Sequence, residues 1–198
     1  MGIHGDRRIR RTHELLRAAL LELVKEQGFE GLSVRQITDR ANVGRTTFYA
    51  HFDGKEELLL AGFDDLHERL HRHGRGARAG MAGQQARPFG FGRELFEHVD
   101  EYREVFQAMV GRRSGEMAQA RMKGLLVELV RNEVQRGPAP VRSGDLRREV
   151  LVQSIAGALS GLLDWWMRER PPLAPAEMDG AFRRMAESAL RADQAAGM

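Results

Sequence analysis

Two stretches of this sequence carry side chains whose types and spacing can do chemistry. His67-Glu68-Arg69-Leu70-His71 has the pattern H-E-x-x-H, in which two imidazoles one helical turn apart bind zinc and the glutamate between them acts as a base. Hydrolysis by that route needs a third ligand. Gly74 fits the longer form of the motif, but Ala77 stands where its third histidine belongs, which leaves a later carboxylate such as Glu94 or Glu97. A different role keeps the histidines without hydrolysis: His67 and His71, with His73 or His98, would bind a regulatory metal. Leu66 and Leu70 already give this helix a core stripe, however, so the histidines fall on its wetter flank as ordinary polar surface. The expectation is therefore no catalytic residue, no metal and no cofactor.

The second stretch, Arg45 to Lys55, has the chemistry of nucleic-acid recognition. Phe48 and Phe52 lie four apart and share a face that must be buried. At about 100° per residue, Thr46 and Ala50 point away from that face, with Thr47 and Tyr49 to either side. Short hydroxylated side chains let a helix come close to a major groove, where threonine bonds base edges or phosphate and an alanine methyl meets the thymine methyl. Arg45 can reach a guanine or the backbone, while His51 and Lys55 near the helix end are placed for phosphate oxygens. Ser33 and Arg35, at the start of the preceding helix, complete the candidate DNA-facing set.

Such a helix needs a corner to present it. Ser33 with Gln36 three residues on is a capping box, and Val34, Ile37 and Ala41 recur at helical spacing behind it. Ala41-Asn42-Val43-Gly44 then supplies the small, turn-prone residues of a helix-turn-helix corner. Before it, Leu15, Leu16, Ala19, Leu20, Leu23 and Val24 form one stripe of a helix over about Thr12 to Gln27, ended by Gly28, with Phe29 and Leu32 packing beneath.

The run from Gly28 to Leu59, G-F-E-G-L-S-V-R-Q-I-T-D-R-A-N-V-G-R-T-T-F-Y-A-H-F-D-G-K-E-E-L-L, resembles the amino-terminal domain of the TetR family of bacterial transcriptional regulators. The resemblance covers about the first third of the chain and rests on several spaced residue types matching together. It implies that Thr46, Thr47 and Tyr49 face an operator, that His51 and Lys55 hold phosphates, and that Arg45 and Ala50 help select sequence.

Composition sets the bounds. A chain of 198 residues, 30% charged and 42% hydrophobic, can bury a real core as a soluble protein of one or two domains. Its net charge of +3 is mild for a DNA binder, so placement matters more than the total. Arg7, Arg8, Arg10 and Arg11 read as a basic arm before the first helix, suited to the DNA backbone. The absence of cysteine excludes disulfides and cysteine metal sites. No signal peptide is evident, and a cytoplasmic location is expected.

Along the rest of the chain, Asp53 with Glu56 resembles a cap, and Leu58, Leu59, Phe63, Leu66 and Leu70 continue a helix to about His73. A mobile loop is expected over 74–86. Amphipathic stretches then carry Leu95, Phe96 and Val99; Tyr102, Val105, Phe106 and Met109; and Ala118, Met122, Leu125, Leu126, Leu129 and Val134, closed by Gly137-Pro138-Ala139-Pro140. Leu146 to Met167 is apolar enough to invite a membrane reading, but Gln153, Ser154, Ser160 and Asp164 interrupt it. Neither Gly74-x-Gly76 nor Gly90-x-Gly92 follows a strand, so neither is a dinucleotide fingerprint. Without strand alternation the fold is expected to be all-α, with about nine helices in two domains: 1–54 for DNA binding, 55–198 for effector binding and dimerisation.

The resemblance implies a homodimer joined through the last two helices and controlled by a small molecule. Gly157, Ser160 and Gly161 permit close helix approach, and Met178, Phe182 and Met185 supply apolar area beside them. Phe63, Phe96, Tyr102, Phe106, Met109, Met122 and Trp165 are the aromatic or soft residues that would line a largely apolar effector pocket. The expected protein is a repressor on a palindromic double-stranded operator, with no enzymatic activity. Its rivals are a zinc metalloprotease through His67, Glu68 and His71, and a helical protein-interaction module.

Overall fold

The computed structural model describes residues 3–79, 88–136 and 146–196, with side chains over 7–72, 88–136 and 146–193. These residues form helices α1 (Ile3–Gln27), α2 (Val34–Ala41), α3 (Arg45–Tyr49), α4 (Lys55–Ala79), α5 (Gly92–Glu101), α6 (Arg103–Met109), α7 (Arg113–Gln135), α8 (Leu146–Glu169) and α9 (Pro175–Ala196). Among the described residues there is no strand, and the fold is all-α. The loop expected over 74–86 is helical as far as Ala79, and its remainder, like Gly137 to Pro140, lies outside the described residues.

Contacts divide the chain into two compact units. One comprises Met1–Asp65 with Glu104–Gln119, the other Leu66–Arg103 with Ala120–Met198. In the first, α1 buries Leu16, Ala19, Leu20, Leu23 and Val24 against α2, whose Ile37, Thr38 and Ala41 are also buried. Leu15, expected in that stripe, is 43% exposed, because it lies on the flank of the arc that Leu16 and Leu20 centre on the core. Gly28 ends α1 at φ 76, a left-handed conformation that favours glycine, and donates its N–H to the Val24 carbonyl. Phe63 and Phe106 meet edge-on at 6.3 Å in the same unit, and Met109 of α6 is buried.

The helix α1 starts some nine residues before Thr12, which corrects the expectation of a basic arm. Arg7, Arg8, Arg10 and Arg11 are helical and exposed. No apolar periodicity marks this segment, but arginine is a good helix former, and Arg10 pairs with Glu14 one turn on at 3.9 Å.

In the second unit α9 packs against α5 and α8. Phe182 meets Phe89 at 5.6 Å, and Phe96 meets Trp166 at 5.6 Å. The Trp166 indole donates to the Leu173 carbonyl at 3.1 Å, tying the end of α8 to the turn before α9. Arg103 lies 4.3 Å over the Trp166 ring and donates to the Trp166 carbonyl at 2.7 Å. One described helix, α8, is long and apolar enough to cross a membrane. Its Val152, Ile155, Ala156, Leu159, Leu163 and Trp166 are spent instead on this intrachain core.

Candidate nucleic-acid interface

The corner is built by caps. Ser33 Oγ accepts from the Gln36 backbone N–H at 3.3 Å while the Gln36 side chain accepts from the Ser33 N–H at 2.9 Å, so the orphan amides at the start of α2 are satisfied reciprocally. Asn42 closes α2 in the left-handed conformation at φ 52, and the Val43 N–H returns to the Thr38 carbonyl at 3.0 Å. Gly44 then opens α3, accepting from the Phe48 N–H at 3.0 Å. Although regular helix ends at Tyr49, the Phe52 N–H still reaches the Phe48 carbonyl at 2.9 Å, so the turn continues far enough to bury both aromatics.

Phe48 and Phe52 are 0% and 4% exposed, with ring centroids 5.7 Å apart. With that face fixed inward, Arg45, Thr46, Thr47, Tyr49 and Ala50 are all exposed. Arg45, Thr46, Tyr49 and Ala50 line one open concavity. Tyr49 stands edge-on to Phe48 at 5.4 Å, which orients its ring while leaving the residue half exposed. A chemically mixed surface of hydroxyls, a phenol, a guanidinium and a methyl is thus held on a rigid turn.

His51 is half-buried. Its ring lies edge-on to His13 of α1 at 5.0 Å, and His13 in turn contacts Phe52 at 4.7 Å. Burial holds the His13 imidazole below its ordinary value of 6.5, and the neighbouring His51 and Arg17 push in the same direction against a smaller opposing pull from Asp65. Arg17 itself pairs with Asp65.

Lys55 requires a correction. Its ammonium donates to the carbonyls of Phe29, Glu30 and Leu32 at 2.9, 2.9 and 2.7 Å and lies 4.7 Å from the Phe29 ring centre. An ammonium has three N–H bonds, and all three are taken, so Lys55 clamps the α1–α2 connection rather than offering a donor to phosphate. The expected cap at the start of α4 also differs: Glu57, not Glu56, accepts from the Asp53 N–H. Ser33 is exposed but engaged in its cap, and Arg35 is exposed, 3.6 Å from Asp39.

Other partners could not be seen in the sequence. Arg40 forks onto Glu26 at 2.9 and 2.8 Å and reaches Glu22 at 3.2 Å, joining α2 to α1 and holding the Glu26 carboxyl below its usual range. Burial raises the Glu30 carboxyl, but bonds from the Ser114 hydroxyl and amide, with Arg112 nearby, outweigh it and leave the group lowered. Neither pairing follows any sequence period.

The seven residues expected to line an effector pocket fall in different units. Phe63, Phe106 and Met109 belong to the first, Phe96, Tyr102, Met122 and Trp165 to the second. Phe63, Phe96, Met109 and Met122 are core, Phe106 and Tyr102 are half-buried, and Trp165 is 43% exposed. Met178 and Phe182, expected on a dimer face, are corrected to the core: α9 turns them onto α5, where each is 1% exposed. Gly157 and Gly161 do face outward with open space beside them, Ser160 is half-buried and Met185 is exposed. The carboxylates a protease would borrow are engaged elsewhere, Glu94 with Arg69 at 3.2 Å and Glu97 with Arg93 at 2.8 Å.

Residues 15–61, the segment that builds this surface, match the profile of the bacterial regulatory proteins of the tetR family. Over these residues the chain is similar to the DNA-binding domain of the TetR family. It is 32% identical over 113 residues to the HTH-type transcriptional regulator TcmR of Streptomyces glaucescens, covering 57% of this chain and 43% of that protein. It is also 46% identical over 55 residues to the HTH-type regulator YxbF of Bacillus subtilis, covering 27% of this chain and 14% of that one. The chain thus spans less than half the length of either relative. The fold is also similar to that of Thermus thermophilus FadR, a TetR-family transcriptional repressor solved in complex with lauroyl-CoA. The TM-score is 0.59 and the identity 22%, over 89% of this chain and 94% of that one. Both curated relatives carry the name of HTH-type transcriptional regulators.

Proposed function

We propose that the protein is a dimeric repressor that holds a palindromic operator and releases it when a small, largely apolar effector binds. The observation that carries this reading is the outward face of α3, where Thr46, Thr47, Tyr49 and Ala50 are exposed because Phe48 and Phe52 are buried behind them. Residues 1–54 contact DNA, and 55–198 bind effector and partner. Arg45 and Ala50 select sequence while His51 and the α1 arginines hold backbone. A two-fold dimer through the outward glycines of α8 matches two recognition helices to two half-sites one helical turn apart. The action is cytoplasmic.

The effector must prefer the released form by about 1 to 3 kcal/mol or more for control to be useful. The capture of lauroyl-CoA by the structural neighbour FadR supports an apolar, acyl-like chemistry as the first class to test. The test is selection of duplexes from a random pool by the purified chain, followed by sequencing. Enrichment of an inverted repeat with half-sites about one turn apart supports the reading; a pool that stays random contradicts it.

A further inference from the structure

The H-E-x-x-H stretch plays no part in the DNA-facing surface, yet the fold gives it a geometry that the motif alone does not contain. His67 and His71 occupy successive turns of α4 with their Nε2 atoms 2.9 Å apart and their rings edge-on, centroids 4.3 Å apart. From α7, Glu128 brings a carboxylate oxygen to 3.2 Å from His67 Nε2. Asn132, one turn further along α7, places Nδ2 3.4 Å from His71 Nε2. All four residues lie in one compact unit.

With the His67 proton on Nε2, that N–H lies between the Glu128 carboxylate and His71 Nε2, while Asn132 Nδ2 approaches the same His71 nitrogen. One proton therefore sits among electron-pair donors from three side chains. Two imidazole nitrogens and a carboxylate are the ligand set of zinc, copper or nickel rather than of magnesium or calcium.

The spacing is close to what such an ion needs. Tetrahedral ligands about 2 Å from zinc stand about 3.3 Å from one another. The observed 2.9 and 3.2 Å fall short by about 0.4 and 0.1 Å, gaps that side-chain rotation closes. Among the described residues no three side chains already stand as a complete metal cage, so the three must turn toward a common point as the ion enters. The site can be reached from solvent, the His67 and Glu128 side chains being 27% and 56% exposed.

We propose that His67, His71 and Glu128 bind a divalent transition cation that bridges α4 and α7, with Asn132 as a positioning residue and water in the remaining place. The His67 proton moves from Nε2 to Nδ1 on binding, so both rings stay neutral and each offers an Nε2 lone pair. This site differs from the protease reading, whose third ligand was sought at Glu94 or Glu97. It does not depend on the DNA-binding reading.

The experiment is calorimetric titration of the tag-free full chain, stripped with chelator, with zinc or nickel chloride near neutral pH, alongside cobalt(II) absorption as a report of geometry. One ion per chain is expected, with a visible cobalt band typical of four-coordination. His67→Gln and His71→Gln should each weaken binding about 100-fold, and Glu128→Gln about 10-fold. His51→Gln should leave affinity unchanged, and circular dichroism should show every variant folded. Absence of stoichiometric binding, or affinity unchanged in His67→Gln, would overturn the proposal. A Glu128→Gln variant that binds as tightly as the parent would equally overturn the three-ligand assignment.

Discussion

Lys55 is locked to the residue it also covers: its ammonium donates to the Phe29 carbonyl at 2.9 Å and stands 4.7 Å from the centre of the Phe29 ring. With the carbonyls of Glu30 and Leu32 also satisfied, the first residue of α4 fixes the loop from which α2 departs. Replacing Lys55 by Met keeps most of the stem and deletes the charge-assisted bonds. It should cost about 2 to 3 kcal/mol in denaturant unfolding. The salt dependence of DNA binding should not change; a slope that falls by about one unit would instead make Lys55 a phosphate contact.

His13 makes stability depend on pH with a defined sign. Its folded value lies below 6.5, so as pH falls through 6.5 the unfolded chain takes up a proton before the folded one does. Stability from this group is full above that point and is lost between it and the lower folded value. Thermal unfolding measured from neutral to mildly acid pH should fall more steeply for the parent than for His13→Gln. Identical slopes would show that the imidazole titrates freely.

The four arginines on the first turns of α1 are exposed and helical, a rigid basic strip rather than a tail. Changing Arg7, Arg8, Arg10 and Arg11 to glutamine keeps good helix formers while removing charge. For each phosphate lost, the logarithmic salt slope of DNA binding should drop by about 0.9. An unchanged slope would remove these residues from the interface.

The dimer proposal separates two kinds of residue. Nothing lies within 4 Å of a side chain added at Gly157 or Gly161, so Gly157→Leu with Gly161→Leu should leave the chain folded but monomeric in light scattering. Phe182→Ala, by contrast, should cost about 3 to 5 kcal/mol of folding stability, as expected for a core ring. A double-leucine variant that remains dimeric would move the interface off this face of α8.

What was legible in the sequence was whatever short-range physics decides. The Ser33 capping box, the Asn42 turn and the inward pair Phe48 and Phe52 are each fixed by neighbours within four residues, and the structure has them as the spacing predicts. The start of α1 was not legible, because arginine-rich helix carries no apolar stripe. The role of Lys55 depends on three carbonyls more than twenty residues away, which no local pattern encodes. Glu128 is hidden for the same reason: it reaches His67 from another helix, whereas the motif points along the chain to Glu94 and Glu97. Met178 and Phe182 were correctly seen as an apolar stripe, but a stripe does not say whether its cover comes from the same chain.

Duplex binding by the parent chain and by Thr47→Glu, side by side over a range of salt concentrations, decides whether the outward face of α3 meets DNA. The glutamate should unfold nothing, because position 47 is exposed, yet it sets a carboxylate against base edges and phosphates. Selective, salt-sensitive binding is expected of the parent, with at least about a 100-fold loss in the variant, equivalent to about 2.7 kcal/mol. Equal affinity of the two proteins for the same operator would contradict that expectation.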